Sequence, residues 1–351
     1  MDSKKHTSFF IFIGIIFCIL YIFLAIKPLG KEYQFDPKWK IDVTNPTLSE
    51  NTEEKKLLYF KLGQTLGYFT EDGKTVNFAT FPQKASISEY AYTYYNVNNS
   101  AAKVYNPDGS EKTTLLASGF PMIDENRFFV FLPGGSAFEM LNEDGSLRWE
   151  YSGTVPITAF DSSENSVAAG FADGNICQFD TNGNLLQRFA PGGSEIPVVL
   201  GVAVSSDGKY IAAVCGQNKQ RFILAKKEAL QTKIVAHEFL DSKSTRQMLV
   251  KFSKDNSTVF FNSGDKLGIV DIESGKIKHL KISGQAISFQ ETDDCAFILT
   301  KNGKQYAVYA IEPFATLIGT FSFNADAAFI QTYKNMLFVG KNSTISCIEI
   351  N

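Results

Sequence analysis

The side chains that most often do chemistry are scarce in this sequence, and they do not cluster. Its 351 residues include three histidines and five cysteines. His237 precedes Glu238, a pair that could act as a general base or as metal ligands. No second histidine stands at helical spacing, and the flanking residues would not hold one on a helix. His279 closes the run Lys276-Ile277-Lys278-His279. Both histidines read as surface positions at strand edges. Cys177, Cys215, Cys295 and Cys347 lie 38, 80 and 52 residues apart, each inside an apolar run. No C-x-x-C spacing is present, so zinc and dithiol redox chemistry are not indicated. Buried thiols are expected, and a bridge such as Cys177 to Cys215 would require an oxidising compartment.

Pro133-Gly134-Gly135-Ser136 and Pro191-Gly192-Gly193-Ser194 have the small residues of phosphate loops. Neither precedes a helix or a Gly-Lys-Ser/Thr triplet, so they read as turns. No nucleophile elbow, sialidase-type Asp box or paired-carboxylate motif occurs. The expectation is no catalytic, cofactor-binding or metal-binding residue and no cofactor. Carboxylates gathered from distant parts of the chain remain open, since local motifs cannot reveal them.

The elements that would position such residues are short strands. From Leu57 onward, apolar or alternating runs of four to eight residues are separated by turn dipeptides. Asp72-Gly73, Asp108-Gly109, Asp144-Gly145, Asp173-Gly174, Asp207-Gly208, Asn182-Gly183 and Asn302-Gly303 supply the positive φ of tight hairpin turns. Four strands fill about 33 residues from Ile157: ITAFD, SVAAGF, NICQFD and NLLQRF. Comparable quartets follow, with first strands near positions 85, 119, 156, 199, 247, 285 and 326. That interval of about 40 residues is one propeller blade. The last unit has only three strands, so a strand from the N-terminal side must complete it. The fold class is therefore all-β, a β-propeller of four-stranded blades. Seven blades are favoured, with at least one strand of residues 57–81 completing the last one, and eight are the alternative if these residues form most of another blade.

Composition agrees. Phe and Tyr number 31 and 14, suited to the gaps between twisted sheets. Lys and Arg total 34 against 37 Asp and Glu, so there is no basic footprint for nucleic acid. Residues 8–26 carry no charge, and as a helix they would rise about 28 Å, near the thickness of a bilayer core. A cleaved signal peptide, a lipoprotein signal ending at Cys18 and an uncleaved anchor compete, and the length of the run favours the anchor. The organisation expected is a cytoplasmic tail over 1–7, a transmembrane helix over 8–26, a polar tether over 27–56 on which Trp39 and Ile41 can dock, and a propeller over 57–351. Lysines on both flanks leave orientation nearly balanced. A short tail with a translocated body places the propeller on the extracytoplasmic side. Lys4, Lys5, Lys27, Lys31 and Asp2 fall in residues 1–31, which leaves a mildly acidic body of net charge −6.

The stretch from Leu141 to Gly153, with Asp144, Gly145 and Trp149, resembles the repeat of quinoprotein-like propellers. Asp180, Asn182 and Gly183 lie in a similar copy without the tryptophan, and Val202–Ala212, with Asp207 and Gly208, is similar to a WD-repeat strand entry. These motifs imply blade hairpins. The WD dipeptide is absent, and so are the repeated tryptophan docking motifs and the acidic calcium constellation of quinone-dependent dehydrogenases. The resemblance therefore brings no quinone. It implies a non-catalytic scaffold of the bacterial envelope with a protein partner or ligand. The alternative is a glycan-acting hydrolase or lyase with carboxylates in the central funnel.

Overall fold

The computed structural model describes residues 12–21, 33–44, 55–96, 101–116, 118–228, 231–312 and 316–351. The chain divides into two units, Met1–Phe35 with Asn351, and Asp36–Ile350. In the first unit the described residues include one helix, over 12–21. Ten residues rise about 15 Å, half the thickness of a bilayer core. Among the described residues no helix is long and apolar enough to cross a membrane. The expected transmembrane helix over 8–26 is thus not seen. Positions 1–7, 8–11 and 22–26 lie outside the described residues.

The second unit is built of antiparallel sheets, eight among the described residues. Blade 1 spans 57–80, blade 2 84–115, blade 3 120–152, blade 4 157–189, blade 5 199–240, blade 6 250–281 and blade 7 285–324. Blade 8 joins 328–350 to the strand Phe35–Asp42, which pairs with Thr344–Ile350. Blade 1 shows three strands and each of the others four.

Within a blade the residue pattern follows position. In blade 5 the innermost strand Val199–Val204 (VLGVAV) is wholly buried, while the outermost, Thr232–Leu240 (TKIVAHEFL), alternates. Inner strands are covered on both faces by neighbouring blades, so they read as continuous apolar runs, whereas outer strands keep one wet face.

Successive blades share cores. Phe129, Phe138 and Trp149 of blade 3 pack against Val167, Cys177 and Phe179 of blade 4. Phe222 of blade 5 stacks on Phe261 of blade 6 at 3.9 Å and 10°. Phe338 and Cys347 of blade 8 meet Leu58, Phe60 and Phe69 of blade 1. These contacts close the ring.

Eight blades replace the seven favoured from sequence. Residues 57–80 do not complete the last blade but form a blade of their own. The completing strand, Phe35–Asp42, falls inside the stretch read as tether. Its sequence FDPKWKID is polar because most of it faces solvent as an outermost strand, with Phe35, Trp39 and Ile41 half-buried. Polarity alone cannot separate such a strand from a linker.

Candidate functional site

The innermost strands, and in blade 3 the turn into the second strand, bring ionisable groups from four blades toward the central channel. Arg127 of blade 3 is buried. Its guanidinium donates to Asp124 at 3.1 Å, to Glu125 at 2.9 Å and to the Ser162 hydroxyl of blade 4 at 3.0 Å. Ser162 in turn donates to Asp124. Asp161, also buried, accepts the backbone N–H of Val204 in blade 5 at 3.0 Å. Its other oxygen meets the Lys251 ammonium of blade 6 at 2.5 Å.

The electrostatics follow from this packing. Burial pushes the Asp161 carboxyl up, and Lys251 pulls against that shift by charge and hydrogen bond. Asp161 raises Lys251 in return, against burial. A carboxylate within 2.5 Å of an ammonium favours the ionised pair. Tyr59 of blade 1 is pushed up by burial first and by Asp124 second, which places it in the same field.

Chemically this arrangement sets three carboxylates against two cations, with Asp124 and Glu125 sharing Arg127. Asp124 is held by Arg127, and Asp161 by Lys251. Among the described residues no group of three or more His, Cys, Asp and Glu could hold a metal ion.

The separations have a pattern. Asp124 and Ser162 are 38 residues apart, and Asp161 and Val204 43. Both are near one blade repeat. Asp161 and Lys251 are 90 apart, and Gln247 donates to the Thr158 carbonyl across 89, both near two repeats. Such couplings are invisible in local motifs, but the period of the strands is a signal that could have located them.

The residues singled out from sequence take structural positions. The Trp149 indole donates to the Thr181 carbonyl of the next blade at 3.2 Å. Its ring lies on Gly183, where a Cβ would stand 2.7 Å from the indole. The Asn182 backbone N–H donates to Asp180 at 2.8 Å. Asp144 accepts from the Ser146 backbone and hydroxyl, and its carbonyl accepts from Thr113 of blade 2. Gly145 lies close to the Thr114 carbonyl. Asp207 accepts from Ser205 and from the Lys209 backbone. The Gly208 carbonyl accepts from the wholly buried Gln178 of blade 4 at 2.8 Å, a coupling not foreseen from sequence.

Glu238 meets His279 of the adjacent blade, with Nε2 3.0 Å from both carboxylate oxygens, instead of working with His237. His237 is exposed and stands edge-on to Phe239. The two Pro-Gly-Gly-Ser stretches lie in connections between strands, and the Pro191 carbonyl accepts from Arg221. Cys177, Cys215 and Cys347 are buried free thiols, and burial pushes Cys215 and Cys347 up to about 11.

A family model described as beta-propeller protein matches residues 1–351. The chain belongs to the beta-propeller protein family. This propeller is 30% identical to an "Uncharacterized protein" of Treponema pallidum (strain Nichols) over 363 residues, covering 100% of this chain and 96% of the relative. Among solved structures it resembles BamB from Moraxella catarrhalis, with a TM-score of 0.59, 14% identity and coverage of 90% and 100% of the two chains. A chain of the mitotic checkpoint complex is similar with a TM-score of 0.55 and 11% identity, covering 92% and 94%. At such identities these two likenesses speak for the fold. Together with the family match they describe a beta-propeller.

Proposed function

We propose that this propeller is a non-catalytic scaffold that binds protein partners in the bacterial envelope. The observation that carries this is the channel. Asp124 is engaged by Arg127, and Asp161 by Lys251 and the Val204 N–H, and these contacts tie neighbouring blades together. Aromatic and apolar side chains lie on the outside instead, among them Tyr94, Val235, Phe239, Leu317 and Phe321. Val235 with Phe239 in blade 5 and Leu317 with Phe321 in blade 7 give apolar points at which a partner can anchor. One structural neighbour comes from a multiprotein complex, which supports the same use of the fold. The charge-free residues 8–26 favour export of the body.

A second reading is a hydrolase or lyase acting on envelope glycans. It rests on Asp161, a buried carboxyl pushed up by its surroundings and near Asp124. Lys251 beside it favours the charged form and weakens that reading.

Crosslinking in the native membrane fraction followed by affinity capture should recover a specific protein. Absence of a partner, together with turnover of a glycan by the purified protein, overturns the scaffold. A reporter fused at the C-terminus should be active outside the cytoplasm, and activity only inside rejects the envelope location.

A further inference from the structure

Asp-Gly and Asn-Gly pairs mark seven turns of the chain. In six of them the glycine N–H is occupied. Gly73, Gly109, Gly145, Gly174, Gly183 and Gly208 each donate to the carbonyl three residues earlier, at 2.9–3.1 Å. An indole roofs two of these turns, Trp39 over Gly73 and Trp149 over Gly183. The seventh, Asn302-Gly303, is built differently. It joins the second and third strands of blade 7, Ala296–Asn302 and Gln305–Glu312, with Asn302 opposite Gln305. That pairing leaves a two-residue turn, and Gly303 takes its first central position at φ +62°, as a type II′ turn requires. The Gly303 N–H lies outside the ladder, and among the described residues nothing accepts it.

The asparagine side chain is free as well. Asn302 is exposed, and among the described residues no hydrogen bond holds its amide. A Cβ added at Gly303 would meet nothing within 4 Å, so the space at the tip of the turn is open. A single bond from the glycine nitrogen to the asparagine Cγ closes a succinimide ring. The two groups sit on adjacent residues, so no partner has to be brought together from solution. Glycine has no side chain to hinder the closure. Asn182-Gly183 has the same two residues in a different state. The Gly183 N–H is given to the Asp180 carbonyl at 3.1 Å, and the Asn182 amide oxygen accepts from Arg148 at 3.5 Å. Closure there must first open the turn beneath Trp149.

We propose that Asn302-Gly303 is a site of self-modification, at which Asn302 becomes an aspartyl or isoaspartyl residue. The Gly303 nitrogen loses its proton to hydroxide and attacks Asn302 Cγ. The N–Cγ bond forms, the Cγ–Nδ2 bond breaks, and the amide nitrogen takes up a proton and leaves as ammonia. A water molecule then opens the ring. Opening at Cγ gives aspartate, and opening at the main-chain carbonyl gives isoaspartate, which carries the backbone through an additional methylene. Nothing is oxidised or reduced. Either product adds a negative charge between Lys301 and Lys304. The second also lengthens a turn whose register sets Asn302 against Gln305. The change acts on one hairpin of blade 7 and is independent of the scaffold function proposed above.

The test is peptide mapping by mass spectrometry of the full chain after timed incubation in neutral and in mildly alkaline buffer. Asn302 should lose its amide about tenfold or more faster than Asn182, because Asn182 reacts only through local opening of its turn. The rate should rise with alkalinity, since the attacking nitrogen must shed its proton. Part of the product should accept a methyl group from an isoaspartyl methyltransferase. In concentrated urea the two sites should react at similar rates, which separates the effect of the fold from that of the shared dipeptide. Asn302→Gln, whose longer side chain closes a ring far more slowly, should remove the product, and an unchanged urea midpoint shows that this variant folds. An Asn302 that stays intact in the native chain overturns the assignment. So does an Asn182 that keeps pace with it there, or a difference between the two that persists unchanged in urea.

Discussion

Trp39 donates its indole N–H to the carbonyl oxygen of Glu71 at 3.1 Å, across 32 residues. Trp149 donates to the Thr181 carbonyl across the same 32 residues. Each ring covers the glycine two positions beyond its acceptor, Gly73 and Gly183, at φ of +82° and +83°. The two tryptophans therefore perform one operation at two places in the ring. Each locks the outermost strand of one blade onto an Asp-Gly or Asn-Gly turn of the next. At Trp39 that lock joins blade 8 to blade 1 and closes the circle.

Substitutions at this lock have a defined cost. Gly73→Ala and Gly183→Ala must each place a Cβ within 2.9 Å and 2.7 Å of an indole at positive φ. Each should lower stability by about 2–3 kcal/mol, combining backbone strain and overpacking. Trp39→Phe keeps a ring but loses the donor, and about 1 kcal/mol is expected. Urea denaturation measures all three, and an unchanged midpoint for Gly73→Ala would show that the closure does not depend on this contact.

The channel pair makes a pH-dependent prediction. Lys251→Met leaves the buried Asp161 without its cation. Fully buried pairs lose about 3–5 kcal/mol when one partner is removed, but the Lys251 side chain keeps contact with solvent, so about 2 kcal/mol is expected near pH 7. Asp161 is already pushed up in the folded protein, and losing Lys251 pushes it further. A folded state that holds a proton more tightly than the unfolded chain is stabilised below the unfolded pKa and loses that stability as pH rises through the folded one. The defect in Lys251→Met should therefore shrink on acidification toward about pH 4, and adding Asp161→Asn should relieve it at neutral pH. Chemical denaturation at several pH values gives the comparison, and a pH-independent defect argues against this account.

The stack between blades 5 and 6 is a packing test. Phe261 is fully buried between Phe222 and the bare backbone of Gly268. Phe261→Ala should cost about 3–5 kcal/mol, and Phe261→Leu clearly less because part of the volume is kept. Thermal unfolding ranks the two, and equal losses would point to a loosely packed interface.

Thiol reactivity should follow burial. Cys215 and Cys347 lie near pKa 11, and burial raises Cys177 too. In the native protein at about pH 8 these three should resist an alkylating agent, because the thiolate is the nucleophile. Exposed Cys18 should label first. Mass spectrometry of timed samples reads the order, and early labelling of Cys215 would mean that its blade opens readily.

The sequence alone determined the strand period, and with it the propeller. Apolar runs, Asp-Gly turns and a repeat of about 40 residues are local properties of the chain, set by backbone sterics and burial. Seven of the innermost strands begin at 84, 120, 157, 199, 250, 285 and 328, within a few residues of the positions read from sequence, and the eighth begins at 57. The number of blades was not legible. It depended on whether Phe35–Asp42 pairs with Thr344–Ile350, a contact between chain ends that no local pattern reports. The channel was hidden from local motifs, though not from the strand period. Arg127 with Ser162 and Asp161 with Lys251 stand one and two blade repeats apart, so these polar groups meet only when the ring brings distant blades around a common axis.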